Sequence, residues 1–396
     1  DQPLAPGAAI DLDFTTELAQ SGIEPATFPL VLRPAFSSVP VHAILPVIGF
    51  KREFTLRDPA RRQQQGLPAL TLTPPSRLPA PLAGSLARGL VELEAIVSTD
   101  IGDHAIAQGD LVRRWRSAGR SHFHYRTAGS VRNLPMVYSL PQPPQIWSAG
   151  AVQIETYSTE PLAADNPNVL AMRDTLEWLG REVAPYQGKS LRLVAIPDVG
   201  PSGYAYPQII EISHRLGFRA RPKVSAGFSQ VYRRAAHETA HQWFGHLLGH
   251  GILEENAFLV ESLAKYAELV LVERRYGREA MRALVRYERN RYRQQLLTLN
   301  QPVTPLIDAD APEDMYSRST LVFACLRETL GDRPIVGALR HMAEQSTATL
   351  TPARSIDFVQ SLKASTRPDL RRPVEALFRA RTPLDVQLAR LGCTSE

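Results

Sequence analysis

The sequence predicts an α+β protein, with strands concentrated in residues 1–150 and a mainly helical remainder from 151 to 396. Two observations predict this. Over residues 1–150, short alternating or β-branched runs are separated by Pro- and Gly-containing turns, as in an antiparallel sandwich. Beyond residue 150, apolar residues recur at helical spacing. A composition of 44% hydrophobic and 21% charged residues describes an ordered chain, and 396 residues can bury a substantial core in two or three domains.

In chain order, Leu12–Phe14, Val41–Phe50, Gly89–Ser98, His122–Arg126 and Met136–Leu140 read as strands. Asp58–Pro81 is polar, then Pro-rich, and reads as an exposed loop with a polyproline-like tail. Pro141–Gly150 reads as the boundary between the two parts. After it come a strand at Val152–Tyr157 and a helix at Asn168–Val183, entered through Asn166-Pro167, with Val169, Met172, Leu176 and Leu179 on one face. A strand at Leu191–Pro197 follows, then an irregular Gly-containing piece to about Arg221. Helical patterns run through His237, then over Asn256–Glu273, Arg278–Leu297, Ser319–Leu330 and Pro334–Ala343.

The net charge of +5 is carried mostly by Arg, interspersed with acids. Its densest cluster, Arg282 to Arg293, has helical spacing and reads as a solvated helix face, so a nucleic-acid partner is not expected. No apolar run approaches the roughly 20 residues of a membrane-spanning helix, and the N-terminal region does not read as a signal peptide. The chain begins at Asp1 without an initiator Met, which is expected of a piece of a longer protein. Two cysteines are too few for a disulfide framework. Cys325 sits in the apolar run Leu321–Leu330 and reads as a small buried hydrophobe; neither Cys325 nor Cys393 has zinc-ligand spacing.

The chemistry is concentrated in H-E-T-A-H-Q-W-F-G-H, residues 237–246. His237 and His241 are four apart, so on a helix their imidazoles share one face and can share one cation. Zinc suits that pair, and a third ligand is best supplied by Glu261 on the next helical run. Glu238, beside the first ligand, can reach a water on the metal without displacing it. Glu268 follows Glu261 by two helical turns on the same face, where it could accept a hydrogen bond from the non-ligating nitrogen of a histidine ligand. His246 lies about 140° off the ligand face, so His246 and His250 read as packing or supporting residues and not as a second metal site.

These residues, with E-S-L-A-K-Y-A-E-L after them, resemble the zinc site of the aminopeptidase N family of metallopeptidases. F-L-V-E-S-L-A-K-Y is similar to the family's W-L-N-E-G-F-A-E-Y. The family places eighteen residues between the second His and the ligand Glu; here nineteen separate His241 from Glu261, which implies one residue inserted in the connecting loop. The resemblance implies an N-terminal β-sandwich or saddle domain over 1–150 and a thermolysin-like zinc peptidase domain over 151–396, holding one Zn2+ through His237, His241 and Glu261. Glu238 would be the general base of peptide-bond hydrolysis. Tyr316-Ser-Arg-Ser resembles the family's Y-x-K-G segment, with Arg318 for Lys and Ser319 for Gly, and implies that Tyr316 stabilises the oxyanion. A Glu matching Glu268 also occurs in the family.

One departure concerns substrate. The family's G-A-M-E-N strand uses its Glu to bind a peptide's free amino group, whereas the corresponding S-G-Y-A-Y at 202–206 has no carboxylate. Asp198 and Glu211 flank it as potential substitutes. The sequence after His237 leaves no room for the family's large C-terminal helical domain, so the expectation is an open cleft suited to longer or internally cleaved peptides. The missing anchor argues against aminopeptidase specificity, cleavage from an end and internal cleavage both stay open, and no substrate-binding residue is identified. The surrounding sequence is most similar to a bacterial subgroup in which such a domain is joined to an ABC-transporter-type permease. That implies a membrane-associated protein with this domain on the extracytoplasmic side. It also leaves an alternative to hydrolysis: a weakly active or inactive zinc-containing binding or gating domain of a membrane transporter.

Overall fold

The computed structural model describes residues 7–20, 28–45, 58–70, 91–131, 136–219, 227–248, 257–297, 303–349 and 353–393, with Ala5 and Leu56. Three sheets come first in the chain, and helices make up the rest. A four-stranded antiparallel sheet runs β1 (Val31–Arg33), β2 (Phe36–Pro40), β7 (Met136–Leu140), β4 (His104–Ile106). A three-stranded antiparallel sheet runs β3 (Glu94–Asp100), β6 (Arg120–Arg126), β5 (Asp110–Ser117). The third sheet has five strands in the order β11 (Gly203–Tyr206), β12 (Ile209–Ser213), β10 (Ser190–Ile196), β9 (Val152–Tyr157), β8 (Gln145–Ala149).

Side-chain alternation sets these faces. In β6, Ser121, Phe123 and Tyr125 are buried while Arg120 and Arg126 are exposed. β10 instead has six of its seven residues buried, as a central strand covered on both faces must be. It pairs in parallel with β9 and β12, whereas β11 returns antiparallel along the outer side of β12. The fully buried Arg192 on β10 links the sheets: it approaches Glu155 at 3.2 Å, donates to the Gly109 carbonyl at 2.8 Å, and stacks over the Tyr125 ring. Such a buried cation is tolerable only because its donors are paired.

The helices are α1 (Pro59–Gln64), α2 (Pro167–Glu182), α3 (Gln230–Ala240), α4 (Leu263–Tyr276), α5 (Arg278–Leu296), α6 (Ser319–Leu330), α7 (Asp332–Thr349), α8 (Ser355–Ala364), α9 (Arg371–Arg379) and α10 (Leu384–Ala389). α2 starts where its signals place it: Asn166 accepts from the Asn168 N–H, Pro167 follows, and Val169, Met172, Leu176 and Leu179 are buried. α4 is buried at every position from Leu263 to Val272, which makes it the central helix of the molecule. It stops at Gly277, whose φ of 86° lets α5 start at once in a new direction. Beneath the C-terminal helices, Phe258, Phe323, Phe358 and Phe378 form an aromatic cluster with ring centroids 5.6–6.4 Å apart.

Several sequence readings change. Leu12 and Phe14 are exposed and lie in no strand. Val41–Ala43 is a 3-10 turn; residues 46–50 lie outside the described residues, as do the Pro-rich tail at 71–81 and His250. Asp58–Gln64, read as loop, contains α1, capped by Asp58. The strand expected from Gly89 begins at Glu94. β5, whose Arg113, Arg114 and Arg116 are exposed on both of its faces, escaped notice because charge masks its alternation. The reading of Cys325 as an unpaired buried hydrophobe is corrected: it is bonded to Cys393, 68 residues away, fastening the end of the described chain to α6. A two-cysteine chain has no spacing pattern that would reveal such a bridge.

Glu211 on β12 is fully buried, accepts from the Tyr138 hydroxyl, and does not line the cleft beside β11. Burial pushes its carboxyl up to about 8, from an ordinary value near 4.5. Between those two pH values the unfolded chain has lost a proton that the folded chain keeps, so stability falls as pH rises. Glu211→Gln is therefore expected to flatten this loss: between pH 5 and 8 its stability should gain on that of the parent by up to about 1.4 kcal/mol per pH unit, with its melting temperature rising relative to the parent's. Thermal melts in that range check it, and parallel curves would contradict it.

Candidate metal centre

Three segments build the site. α3 opens with Ser229, whose hydroxyl accepts from the Tyr232 N–H, and carries His237 and Glu238 in its last turn; His241 caps its C-terminal end. Glu261 sits in a π-helical turn, Ala257–Ser262, that feeds α4. Tyr316 sits in a second such turn, Glu313–Arg318, that feeds α6. Wide turns of this kind often occur at functional sites because they aim a side chain that a regular helix would misdirect. The two turns are fastened together: the Ser262 hydroxyl donates to the Met315 carbonyl and stands 2.7 Å from the Ser319 hydroxyl. Phe258, one turn before Glu261, anchors the first of them in the aromatic cluster.

The geometry brings together His237, Glu238, His241, Glu261, Glu268 and Tyr316. The Nε2 of His237 is 3.0 Å from Glu261 Oε2, and the Nε2 of His241 is 3.7 Å from the same oxygen. One ligand atom from each of His237, His241 and Glu261 lies within 4.8 Å of the other two. Glu238 Oε2 is 3.9 Å from His241 Nε2. The Tyr316 hydroxyl lies beside Glu261, and its ring is 6.1 Å from that of His237. These residues line a cleft of about 470 Å3, whose other wall is Pro201–Ala205 on and before β11.

The donor set fits zinc. Ligands held about 2.0–2.1 Å from one ion stand within about 4 Å of each other, as the two His–Glu separations do. The imidazoles are also oriented for it. His241 Nδ1 is 3.2 Å from the Phe244 carbonyl, so that nitrogen carries the proton and Nε2 faces the cleft. His237 Nδ1 is 2.8 Å from Glu268 Oε1, leaving its Nε2 toward Glu261. Glu268 is itself fixed by Lys265 Nζ at 2.6 Å and Arg233 at 3.1 Å. Lys265 also donates to Glu288 at 2.7 Å, and Ser317 donates to the other oxygen of Glu288.

Protonation follows from this arrangement. Burial disfavours a charged His237, but the carboxylates of Glu261 and Glu268, each within 3.0 Å of a ring nitrogen, outweigh it and raise its pKa to about 10. Burial lowers His241 to about 4 and pushes Glu238 up to about 7. Burial also opposes ionisation of Glu261, yet the neighbouring imidazoles hold it down near 2. Two carboxylates and two imidazoles packed this closely are the environment a dication neutralises.

Sequence reasoning missed five contributors. Lys265, Arg233 and Glu288 form the buried ionic network behind His237; Lys265 sits inside the recognised E-S-L-A-K-Y stretch, which was its one visible signal. Gly203 is required by close approach, since a Cβ there would collide with Glu238 Oε1. Arg291, read as part of a solvated face, lines the cleft. Asp198 and Glu211, considered as amino-group anchors, do not: Asp198 accepts from Ser213 and the Arg215 N–H, and Glu211 is buried against Tyr138. His246 lines a separate cavity with Gln208 and Gln242. Removing the Glu268 charge is expected to weaken the grip of His237: Glu268→Gln should lower zinc affinity about 10- to 100-fold, measured by competition with a chromogenic chelator. An unchanged affinity would contradict the orienting role.

Comparison with known proteins agrees with this geometry. The sequence matches the peptidase family M1 domain over residues 174–378. No curated protein matches the chain. Among solved structures, it is similar to a variant of a two-domain M1 zinc metallopeptidase bound to L-tryptophan, with 17% identity and a TM-score of 0.56. It is also similar to the M1 zinc metallopeptidase from Deinococcus radiodurans, with 18% identity and a TM-score of 0.55. A variant of the latter bound to a Tyr-Ser-Ala substrate gives the same identity and score. Each likeness covers 75% of this chain and 66% of the other, and at such identities it establishes the shared fold. With its mixed α+β architecture, its two imidazoles and its carboxylate in place, the chain belongs to peptidase family M1.

Proposed function

We propose that this chain is a zinc-dependent metallopeptidase that hydrolyses peptide bonds in the cleft between α3 and β11. The observation that carries the reading is the position of Glu238. A purely structural metal site has no use for a further, non-ligating buried carboxylate, yet Glu238 lies 3.9 Å from a ligand nitrogen and the opposite wall is pared to Gly203 to admit it. A zinc ion held by His237, His241 and Glu261 would supply Lewis acidity, lowering the pKa of water and polarising a peptide carbonyl. Glu238 accepts the proton of the attacking water and returns it to the leaving amine. The Tyr316 hydroxyl donates to the carbonyl oxygen as negative charge builds on it. β11 is an edge strand, so its backbone is available to align an extended peptide.

Substrate choice follows from what the wall lacks. Gly203, Tyr204 and Ala205 bring no carboxylate into the cleft, and a peptide ammonium there would be desolvated without a counter-charge. We therefore read the enzyme as one that does not depend on a free amino terminus. The alternative of an inactive gating domain is disfavoured by the retention of both Glu238 and Tyr316.

The further reading, that the chain is the extracytoplasmic part of a protein joined to a permease, rests on the sequence resemblance. It is supported by the Cys325–Cys393 bond, since such bonds persist in oxidising compartments. Among the described residues no helix is long and apolar enough to cross a membrane.

Two tests separate these claims. With internally quenched peptides, Glu238→Gln should lose about 100- to 10,000-fold in kcat/KM while retaining its zinc, and Gly203→Ala should lose activity in the same sense by displacing the carboxylate. Full activity in Glu238→Gln would end the hydrolytic reading. For the compartment, alkylation of freshly lysed cells of the native host should leave both cysteines unlabelled, whereas two labelled thiols would contradict the placement.

A further inference from the structure

Resting on the peptidase reading, a further inference concerns what the cleft holds on to. Four cations line it: Arg233, Arg234, Lys265 and Arg291. Two of them are consumed by the network behind His237, because Lys265 and Arg233 pair with Glu268 and Glu288. The other two are not. Arg234 lies one helical turn before Glu238, on the same side of α3. Among the described residues its one hydrogen bond is a 3.5 Å contact to the Leu216 carbonyl, and no carboxylate oxygen comes within 4.0 Å of it. Arg291 packs over the Tyr316 ring at 5.9 Å, and its nearest carboxylate, Glu288 at 3.6 Å, already accepts from Lys265 and Ser317.

A half-buried guanidinium with no carboxylate in direct contact is costly: burial and the Arg233 charge pull the Arg234 pKa down, and the more distant Glu238 and Glu268 offset this only in part. The facing wall offers no compensating acid. A substrate ammonium here would meet like charge, and a carboxylate would meet an open planar fork of the right geometry.

We propose that Arg234 anchors a substrate carboxylate, with Arg291 adding charge of the same sign at the Tyr316 end, so that the cleft selects peptides bearing a carboxylate near the scissile bond. The group is either the α-carboxylate of a short peptide or an Asp or Glu side chain. The chemistry is shared, and the peptides used in the test tell the sources apart.

The test uses three quenched peptides of one neutral core: C-terminally amidated; amidated with a Glu beside the core; and neutral with a free C-terminus. Each is assayed with the parent chain and with Arg234→Gln, Arg234→Lys and Arg291→Gln, whose folding is checked by thermal melts. At least one carboxylate peptide should exceed the amidated neutral peptide in kcat/KM by about 10- to 100-fold, and the favoured peptide identifies the source. That ratio should collapse toward one in Arg234→Gln and be partly kept in Arg234→Lys. Equal rates for all three peptides, or an undiminished ratio in a folded Arg234→Gln, overturn the proposal while leaving the peptidase reading intact. If the parent cleaves nothing, the peptidase reading fails and binding decides the anchor. Fluorescence anisotropy of the same peptides on Glu238→Gln should then show the same carboxylate preference and its loss on adding Arg234→Gln, and equal affinities overturn it.

Discussion

The contact between His237 and Glu268 is the constraint on which the site depends. A helix holding two imidazoles can present them in several rotamers and tautomers, and only some of these point a lone pair at a shared ion. Glu268, at 2.8 Å from Nδ1, removes that freedom. Glu268 can do so because it is fully buried and pinned by Lys265 and Arg233, which are held in turn by Glu288. A single member removed from such a network leaves an uncompensated buried charge. The network also fixes how α3 lies against α4, and so fixes Glu261 relative to the histidines. The central, all-round burial of α4 follows from the same requirement: a ligand-bearing helix that must not shift is packed on every side.

Much of this was legible in the sequence, for identifiable reasons. The ligands obey short-range rules: His237 and His241 by helical spacing, Glu268 by two further turns after Glu261. α2, α5 and β7 were legible because strong caps or clean periodicity agree with tertiary burial there. What could not be read depends on distant parts of the chain. Glu288 lies in an Arg-rich helix face and is buried only because Lys265, 23 residues earlier, needs it. Gly203 looks like an ordinary turn residue until Glu238 is placed against it. The Cys325–Cys393 bond joins positions whose proximity only the packed helices reveal. The strands of the first part were read least well, since β5 is exposed and charged and Val41 begins a turn despite its β-branched neighbours.

The same contrast bears on function. The residues that perform chemistry at a polarised carbonyl are grouped as the motif implies, whereas the wall that would receive the rest of the substrate is not the one the wider family resemblance leads one to expect. Ala205 lines the cleft where an acid was sought, and Arg234 and Arg291 bring positive charge to that cleft. Catalytic machinery and substrate anchoring are thus separable in this fold: the first depends on a rigid helix pair, the second on side chains that can change without disturbing it.

The central claim is that one divalent ion is held by His237, His241 and Glu261. X-ray absorption at the zinc edge on the metal-loaded chain tests it most directly. The account predicts one zinc per chain, with two imidazole nitrogens and carboxylate oxygen at about 2.0–2.1 Å, and loss of the bound metal in His241→Ala and in Glu261→Ala. A spectrum with sulfur ligands, or full zinc retention in both variants, would contradict it.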